Sequence, residues 1–234
     1  MIAGQSVLAI AAARGGSKGV PRKNVRPVGG QPMIAWTVQA ARQSAHVDRL
    51  ILTTDDAEIA EMARTHGCEI PFLRPPHLAS DDASMMDVVH HAIAECGDGF
   101  DWVVLLQATS PLRLAGDIDA LLEACVAAGA PAGVTVTPSD KSPFWMFYRD
   151  AAGGMDPVLP AAAQAKRRQE LPQAYALNGA VYVARRDWIA GRSSFLSDST
   201  LCHVMPRERS VDVDTEMDMI IAEALFSQRN NGTL

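Results

Sequence analysis

Between residues 7 and 137 the chain repeats one pattern: a short apolar run, then a longer stretch with apolar residues at helical spacing. The runs are Val7-Leu8-Ala9-Ile10-Ala11, Arg49-Leu50-Ile51-Leu52-Thr53, Trp102-Val103-Val104-Leu105-Leu106 and Gly133-Val134-Thr135-Val136-Thr137. Each is too short for a helix and apolar at successive positions, so each reads as a strand covered on both faces. The intervening stretches supply the cover. They are 32–45, with Ile34, Val38 and Ala41 on one face, a helix capped by Asp55 or Asp56 and running to about His66, then 84–94 and 115–128. A further short strand is expected at 69–73, ended by Pro75-Pro76. Such alternation predicts an α/β fold, a Rossmann-like and mostly parallel sheet flanked by helices.

After Pro138 the pattern changes. Residues 139–175 hold prolines, glycines, aromatic stretches and the basic cluster Lys166-Arg167-Arg168, and read as an inserted hairpin and loop region. Strand-like runs resume at 179–183 and 201–205, and a last helix starts near Asp214 or Thr215 and ends near Gln228. The expectation is a single domain over 1–228 carrying that insertion, followed by a fraying tail, 229–234.

The first strand feeds a loop with three glycines (Gly15, Gly16, Gly19) and four cations (Arg14, Lys18, Arg22, Lys23). Glycines let backbone N–H groups approach phosphate oxygens, and lysine and arginine neutralise their charge. The string is neither a Walker A loop nor a G-x-G-x-x-G fingerprint. Its position matters more than its composition, since ligands of open α/β sheets sit at the carboxyl ends of the strands. The cationic loop is a local device, because the whole chain carries 27 Asp+Glu against 21 Lys+Arg, a net charge of −6. That balance argues against nucleic acid as a partner. No apolar run approaches the ~18 residues of a membrane span, and 1–6 lacks the basic start and apolar core of a signal peptide. A cytoplasmic protein without a membrane partner is expected. Cys68, Cys96, Cys125 and Cys202 form no C-x-x-C pair and read as reduced thiols. The adjacent His90 and His91 point in different directions on a helix and read as structural.

Two other segments carry polar groups where chemistry is expected. Gln107-Ala108-Thr109-Ser110-Pro111-Leu112-Arg113 continues directly from the strongest strand. Thr109 or Ser110 could simply cap the next helix. Val211-Asp212-Val213-Asp214-Thr215, read as a strand, places Asp212 and Asp214 on one face. Such neighbours repel unless a cation lies between them, and Mg²⁺ takes one or two carboxylates plus phosphate oxygens and water. The plainer alternative is that Asp214 caps the last helix while Asp212 is solvated.

The string A-R-x-G-S-K-G-x-x-x-K-N, from Ala13 to Asn24, resembles the N-terminal signature of the CMP-N-acylneuraminate (CMP-sialic acid) synthetases, a family of cytidylyltransferases. The resemblance runs in order from about residue 7 to 220. It includes L-Q-x-T-S-P-L-R from Leu106 to Arg113, N-G-A-V-Y from Asn178 to Tyr182, and D-V-D-T from Asp212 to Thr215. It implies a nucleotide-diphospho-sugar transferase type of sheet, CTP and a nonulosonic (sialic-type) acid as substrates, and Mg²⁺ held by Asp212 and Asp214. Arg14 and Lys18 would meet the phosphates with help from Ser17, and Lys23 and Asn24 would hold the nucleotide from the loop's far end. Gln107 would face the acceptor sugar. Arg168 would bind the sugar carboxylate, for which a guanidinium is suited, and Asn178 and Tyr182 would line the sugar site. Arg74 would read the base edge or form a surface salt bridge, and Ser84 would serve the nucleotide or cap the following helix. The resemblance also implies a homodimer with 139–175 as its arm. Phe195 would enter the partner's site or sit in its own core. Trp145 stands where sialic acid synthetases carry a basic residue, which leaves legionaminic and pseudaminic acids open. Rival readings are a nucleotidyltransferase using another nucleoside triphosphate, and a nucleotide-sensing protein that keeps the fold without the chemistry. The presence of Lys18, Gln107 and both aspartates weighs against the latter.

Overall fold

The structure, a computed structural model, describes residues 1–17, 19–96, 98–159 and 167–232. In chain order the elements are β1 (Val7–Ala12), a minimal hairpin of β2 (Pro27–Val28) and β3 (Gln31–Pro32), α1 (Met33–Gln43), β4 (Arg49–Thr53), α2 (Ala57–Thr65), α3 (Met85–Cys96), β5 (Trp102–Gln107), α4 (Ala115–Ala128), β6 (Ala132–Pro138), a hairpin of β7 (Phe147–Arg149) and β8 (Met155–Pro157), β9 (Tyr175–Arg185), α5 (Arg186–Ile189), β10 (Thr200–Val204) and α6 (Glu216–Asn230). Six strands form one sheet in the order β10-β6-β9-β5-β1-β4. Parallel pairing joins β4, β1 and β5, and also β6 and β10, while β9 runs antiparallel between β5 and β6. The fold is thus the mostly parallel α/β type expected.

The continuous apolar runs are explained by the two layers. In β1, Val7, Ala9 and Ala11 face α1, α2 and α4, against residues such as Ile34, Val38, Ile59 and Leu121. Leu8, Ile10 and Ala12 face the other way, against Met86, Val89 and Ala92 of α3 and Ile189 of α5. Period-two alternation with both faces buried leaves no polar position in such a strand. A third cluster forms where α6 lays Met219, Ala222 and Phe226 on Val20, Met33, Leu112 and Val213. There Trp36 stacks on Phe226 with ring centroids 4.4 Å apart.

The caps settle two open choices. Asp56 caps α2, its carboxylate accepting the N–H groups of Glu58 and Ile59. Thr215 caps α6 in a reciprocal box with Asp218, so Asp214 is not the cap. Neither Thr109 nor Ser110 caps α4, contrary to expectation. Both hydroxyls are buried without a hydrogen-bond partner, and Asp117 instead accepts the Leu114 N–H at 2.9 Å.

Other differences from the sequence reading have plain causes. The strand expected at 69–73 is reduced to one parallel bridge between Ile51 and Glu69, because Pro71 has no N–H to extend a ladder. Segment 211–214 is not a strand. Its backbone is instead tied by the Val213 N–H, donated to the Thr109 carbonyl at 2.8 Å. Local alternation survives all the same: Val213 is buried while Asp212 and Asp214 are exposed. Helix α6 reaches Asn230, past the expected end near Gln228. All four cysteines are free thiols. His90 lies 2.8 Å from the Arg192 carbonyl, and His91 packs edge-on to Phe72. Among the described residues no helix is long and apolar enough to cross a membrane.

Candidate active site

A cleft of about 330 Å³ opens at the carboxyl ends of β1 and β5. Ala12, Ala13, Arg14, Lys23 and Asn24 line it from the glycine-rich loop, with Arg74, Ser80, Asp81 and Met85 on one side and Gln107, Thr109 and Asp214 on the other. A second cavity of about 230 Å³, lined by Gly16, Ser17 and Gly19, shares Arg14, Lys23, Asn24 and Asp214 with the first. The two are continuous parts of one cleft. Four separate stretches of sequence therefore converge where open α/β sheets bind ligands.

The loop is fastened to acidic residues on both flanks. The Gly15 N–H donates to Asp55 at 2.9 Å, and a Cβ on Gly15 would stand 2.6 Å from an Asp56 oxygen. A Cβ on Gly19 would stand 2.0 Å from the Asp214 carbonyl. These two glycines are thus needed for close approach of protein to protein, whereas Gly16 faces open space. The cations divide. Arg14 spans the cleft, reaching the Ser80 carbonyl at 3.2 Å and Asp81 at 2.9 Å. The Lys23 ammonium donates to Asp214 at 2.7 Å and to the Val213 carbonyl at 3.0 Å. Arg22, in a left-handed conformation at φ 57°, pairs with Asp56 and Glu58 and does not line the cleft. Asn24 is buried and donates to the Arg14 carbonyl at 2.9 Å, while its own Oδ1 has no partner among the described residues. Lys18 and the side chain of Arg168 lie outside the described residues.

Arg74 is buried rather than on the surface. Its Nε and Nη2 donate to Thr53, at 3.1 and 2.7 Å, and burial pulls its pKa down to about 10, leaving it charged at neutral pH. A cation fixed by two hydrogen bonds on a cleft wall is a rigid donor. The Ser84 hydroxyl accepts the Asp87 N–H at 3.1 Å, so it acts as a cap for α3 between cleft-lining Ala83 and Met85.

Opposite lies the acidic end. Gly179 takes φ 72°, a left-handed bend that interrupts the β6–β9 register. A Cβ there would sit 3.5 Å from Asp212 Oδ2 and 3.6 Å from Gln107 Oε1, so the carboxylate and the amide converge over this glycine. Asp212 is exposed and lines neither cavity, yet the surrounding protein pushes its pKa up, and the Asp214 charge adds to the rise. The Thr109 hydroxyl faces Asp212 and offsets part of that rise. Tyr182 is half-buried, its phenol pushed up by burial and by Asp212. Its ring packs on Phe195, which is buried in its own core. Asn178 does not line the cleft. Its Oδ1 accepts from Thr135 (2.7 Å) and the Ala180 N–H, and its amide meets Ser210 (3.0 Å) and the Met205 sulfur. It braces the wall behind Gly179.

Asp212 and Asp214 fit a magnesium ion. They are adjacent hard oxygen donors, Asp212 has no salt bridge among the described residues, and their mutual repulsion is what a dication relieves. Among the described residues no group of three or more potential ligands forms a closed cage. Such a pair suits an ion that takes its remaining ligands from phosphate and water. Sequence reasoning missed Asp55 and Asp56 as loop anchors and Asp81 as the partner of Arg14. Their only signal was acidity near a strand end.

The sequence pattern of the cytidylyltransferase family matches residues 8–150. The chain is 35% identical over 229 residues to a CMP-N,N'-diacetyllegionaminic acid synthase of Legionella pneumophila, covering 94% of this chain and 96% of that one. It is 32% identical over 216 residues to an N-acylneuraminate cytidylyltransferase of Streptococcus agalactiae, covering 91% of this chain and 51% of that longer protein. Among solved structures it resembles a CMP:2-keto-3-deoxy-manno-octonic acid synthetase complexed with CTP, with a TM-score of 0.73 at 18% identity, covering 96% and 99% of the two chains. The cationic loop, the Gln107 segment and the paired aspartates thus occur together on this sheet because the chain belongs to the cytidylyltransferase family and is a nucleotidyltransferase of the CMP-acylneuraminate synthetase type.

Proposed function

We propose that the protein activates an N,N'-diacetylated nonulosonic acid of the legionaminic kind with CTP, releasing CMP-sugar and pyrophosphate. The observation that carries this is the convergence of Arg14, Lys23, Asn24, Arg74, Gln107 and Asp214 on one cleft at the sheet's carboxyl edge. The Legionella relative, matched along nearly its whole length, supports the choice of acid, and Trp145 weighs against N-acetylneuraminate without separating the legionaminic from the pseudaminic kind.

The anomeric hydroxyl of the acid attacks the α-phosphorus. A new O–P bond forms, the bond to the β-phosphate oxygen breaks, pyrophosphate leaves and the hydroxyl proton passes to water. Catalysis of this kind is mostly positioning and charge neutralisation. Arg14 and Lys18 take the phosphates, with Ser17 and the Gly16 amide beside them. Arg14 leaves Asp81 to do so, exchanging one anionic partner for another. Lys23 and Asn24 hold the nucleotide from beneath, and the unpartnered Asn24 Oδ1 is an acceptor for a ribose hydroxyl. Arg74 presents a fixed donor to the cytosine edge. Gln107 orients the acid over Gly179, Tyr182 backs Asp212, and Arg168 takes the sugar carboxylate. Asp212 and Asp214 hold Mg²⁺, which when bound neutralises phosphate charge and lowers the pKa of the attacking hydroxyl. A reaction that consumes CTP fits a cytoplasmic protein.

Residues 1–228 act as one catalytic domain, and 139–175 serve as the arm of a homodimer. Among the described residues the β7–β8 hairpin pairs only with itself, and Tyr148 and Met155 are 68% and 62% exposed, with Trp145 and Phe147 beside them. Apolar groups clustered in this way on a protruding hairpin mark a contact surface.

The test is pyrophosphate release from CTP, UTP or GTP with Mg²⁺, each paired with N,N'-diacetyllegionaminic, pseudaminic and N-acetylneuraminic acids. Turnover confined to CTP and the first acid is expected. Turnover with another acid moves the substrate, turnover with another nucleotide moves the base specificity, and silence with all of them in folded protein rejects the reading.

A further inference from the structure

Arg113 is 2% exposed, and no carboxylate is among its hydrogen-bond partners. Its Nη1 donates to the carbonyls of Gln107 (3.1 Å) and Ala180 (2.7 Å), and its Nη2 donates to the Thr37 hydroxyl (2.7 Å). Its Nε is buried without a partner. Asp117, four residues on, gives its carboxylate to Arg209 (2.7 and 3.1 Å) and to the Leu114 N–H. A buried guanidinium satisfied only by carbonyls and a hydroxyl is costly to keep, because nothing neutralises it directly. The arrangement persists at a particular place. The β5–β9 ladder ends at Leu106 and Val181. The next residues on the two strands are Gln107 and Ala180, and their carbonyls are the two that Nη1 holds. Immediately beyond stands Gly179, over which Gln107 Oε1 and Asp212 Oδ2 converge. Past that last rung, then, the Arg113 side chain bridges β5 to β9, directly behind the facing amide and carboxylate.

We propose that Arg113 is a positioning residue for nucleotidyl transfer, clamping the parting ends of β5 and β9 so that Gln107 is held over Gly179 and against Asp212. The proposal rests on the reading of the site given above. The planar fork is essential to it, because an ammonium is a point charge that cannot reach Thr37 and both carbonyls together.

The experiment is a mutant cycle of Arg113→Lys and Gln107→Ala, with Thr37→Val as a milder variant that removes only the Nη2 acceptor. Folding is followed by circular dichroism, and CTP affinity by calorimetry without acid. Arg113→Lys is expected to lower kcat about 100-fold, the loss that follows from misplacing a reacting group by an ångström. CTP affinity should stay within about threefold of wild type, since the lost interaction belongs to the transition state. Adding Gln107→Ala to Arg113→Lys should cost almost nothing more, because both remove the same contact. Thr37→Val should lower kcat in the same direction by less, and it decides the matter if Arg113→Lys does not fold. Losses that multiply in the double variant, an unchanged kcat, or CTP affinity falling in parallel with kcat would each overturn the clamp. If wild-type protein turns over no substrate pair, the functional reading fails separately. The clamp is then read from the Gln107 side-chain amide resonance, expected to be sharp in wild type and shifted or broadened in Thr37→Val. An unmoved resonance rejects it.

Discussion

The cleft and the arm are built on opposite principles. Around the cleft, Arg14, Lys23, Asn24 and Arg74 already have internal partners, and the surfaces beneath them are strands with both faces buried. In the arm, β7 and β8 are exposed along their whole length and carry the aromatic side chains of Phe147 and Tyr148. One region is finished within a single chain and the other is not. On the proposed reading, the nucleotide is held by the first alone, while the acid draws on Arg168 of the insertion and so depends on the second. Nucleotide binding and acid binding should therefore separate under mutation.

The largest effect tests the finished region. Asp212→Ala combined with Asp214→Ala should reduce pyrophosphate release by about 1,000-fold or more, the scale of losing a charge-stabilising constellation. Near-normal release would remove the metal assignment. Gly19→Ala comes next. Its new methyl group meets the Asp214 carbonyl, backbone against backbone, and must push the loop off the aspartate segment. A loss of about 100-fold in kcat/KM at nearly unchanged Tm is expected, and wild-type kinetics would show that the loop seat is irrelevant.

Changes in the arm should be milder and selective. Phe147→Asp with Tyr148→Asp should leave a monomer by light scattering and raise KM for the acid about tenfold, the cost of losing contacts at an interface core. CTP affinity should not move. A wild type already monomeric at assay concentration, or an equal loss of both substrates, would break the contrast between the regions.

The smallest effect is on stability. Ionised Asp212 is less favourable in the folded than in the unfolded chain, since its pKa is raised by crowding and then by Asp214. That penalty is present at pH above its titration and disappears as the pH falls through it. Asp212→Asn should therefore raise Tm at neutral pH while abolishing turnover, and its advantage over wild type should shrink in acid. A Tm difference independent of pH would exclude this origin.

Much of the scaffold was legible because burial on both faces writes an unbroken apolar run into each parallel strand. The same rule hid the start of β9, where Tyr175, Ala176 and Leu177 are exposed and no such run exists. Pro71 should have counted against a strand at 69–73. In the site, the glycine-rich loop, Gln107 and the two aspartates stood out as polar groups at strand ends. Charge alone does not separate Arg22 from Lys23, since adjacent residues of one charge differ only in direction; the resemblance singled out Lys23, and Arg22 turns to Asp56 and Glu58. Asn178 reads as a cleft residue from its motif, yet its polar atoms face inward.

The sequence by itself determined the strand-helix alternation and the sheet edge at which the loop, Gln107 and the aspartates gather. Those features follow from local patterns of apolar and polar residues, which act through neighbours along the chain. The tertiary structure alone decided that β9 runs backwards between β5 and β6, bringing its first half to that same edge. It also decided that Phe195 packs on Tyr182 within its own chain, and that Arg113, while holding Gln107, reaches Ala180, 67 residues further along the chain. Contacts of that kind are set by which surfaces meet after the sheet closes, and no local pattern encodes them.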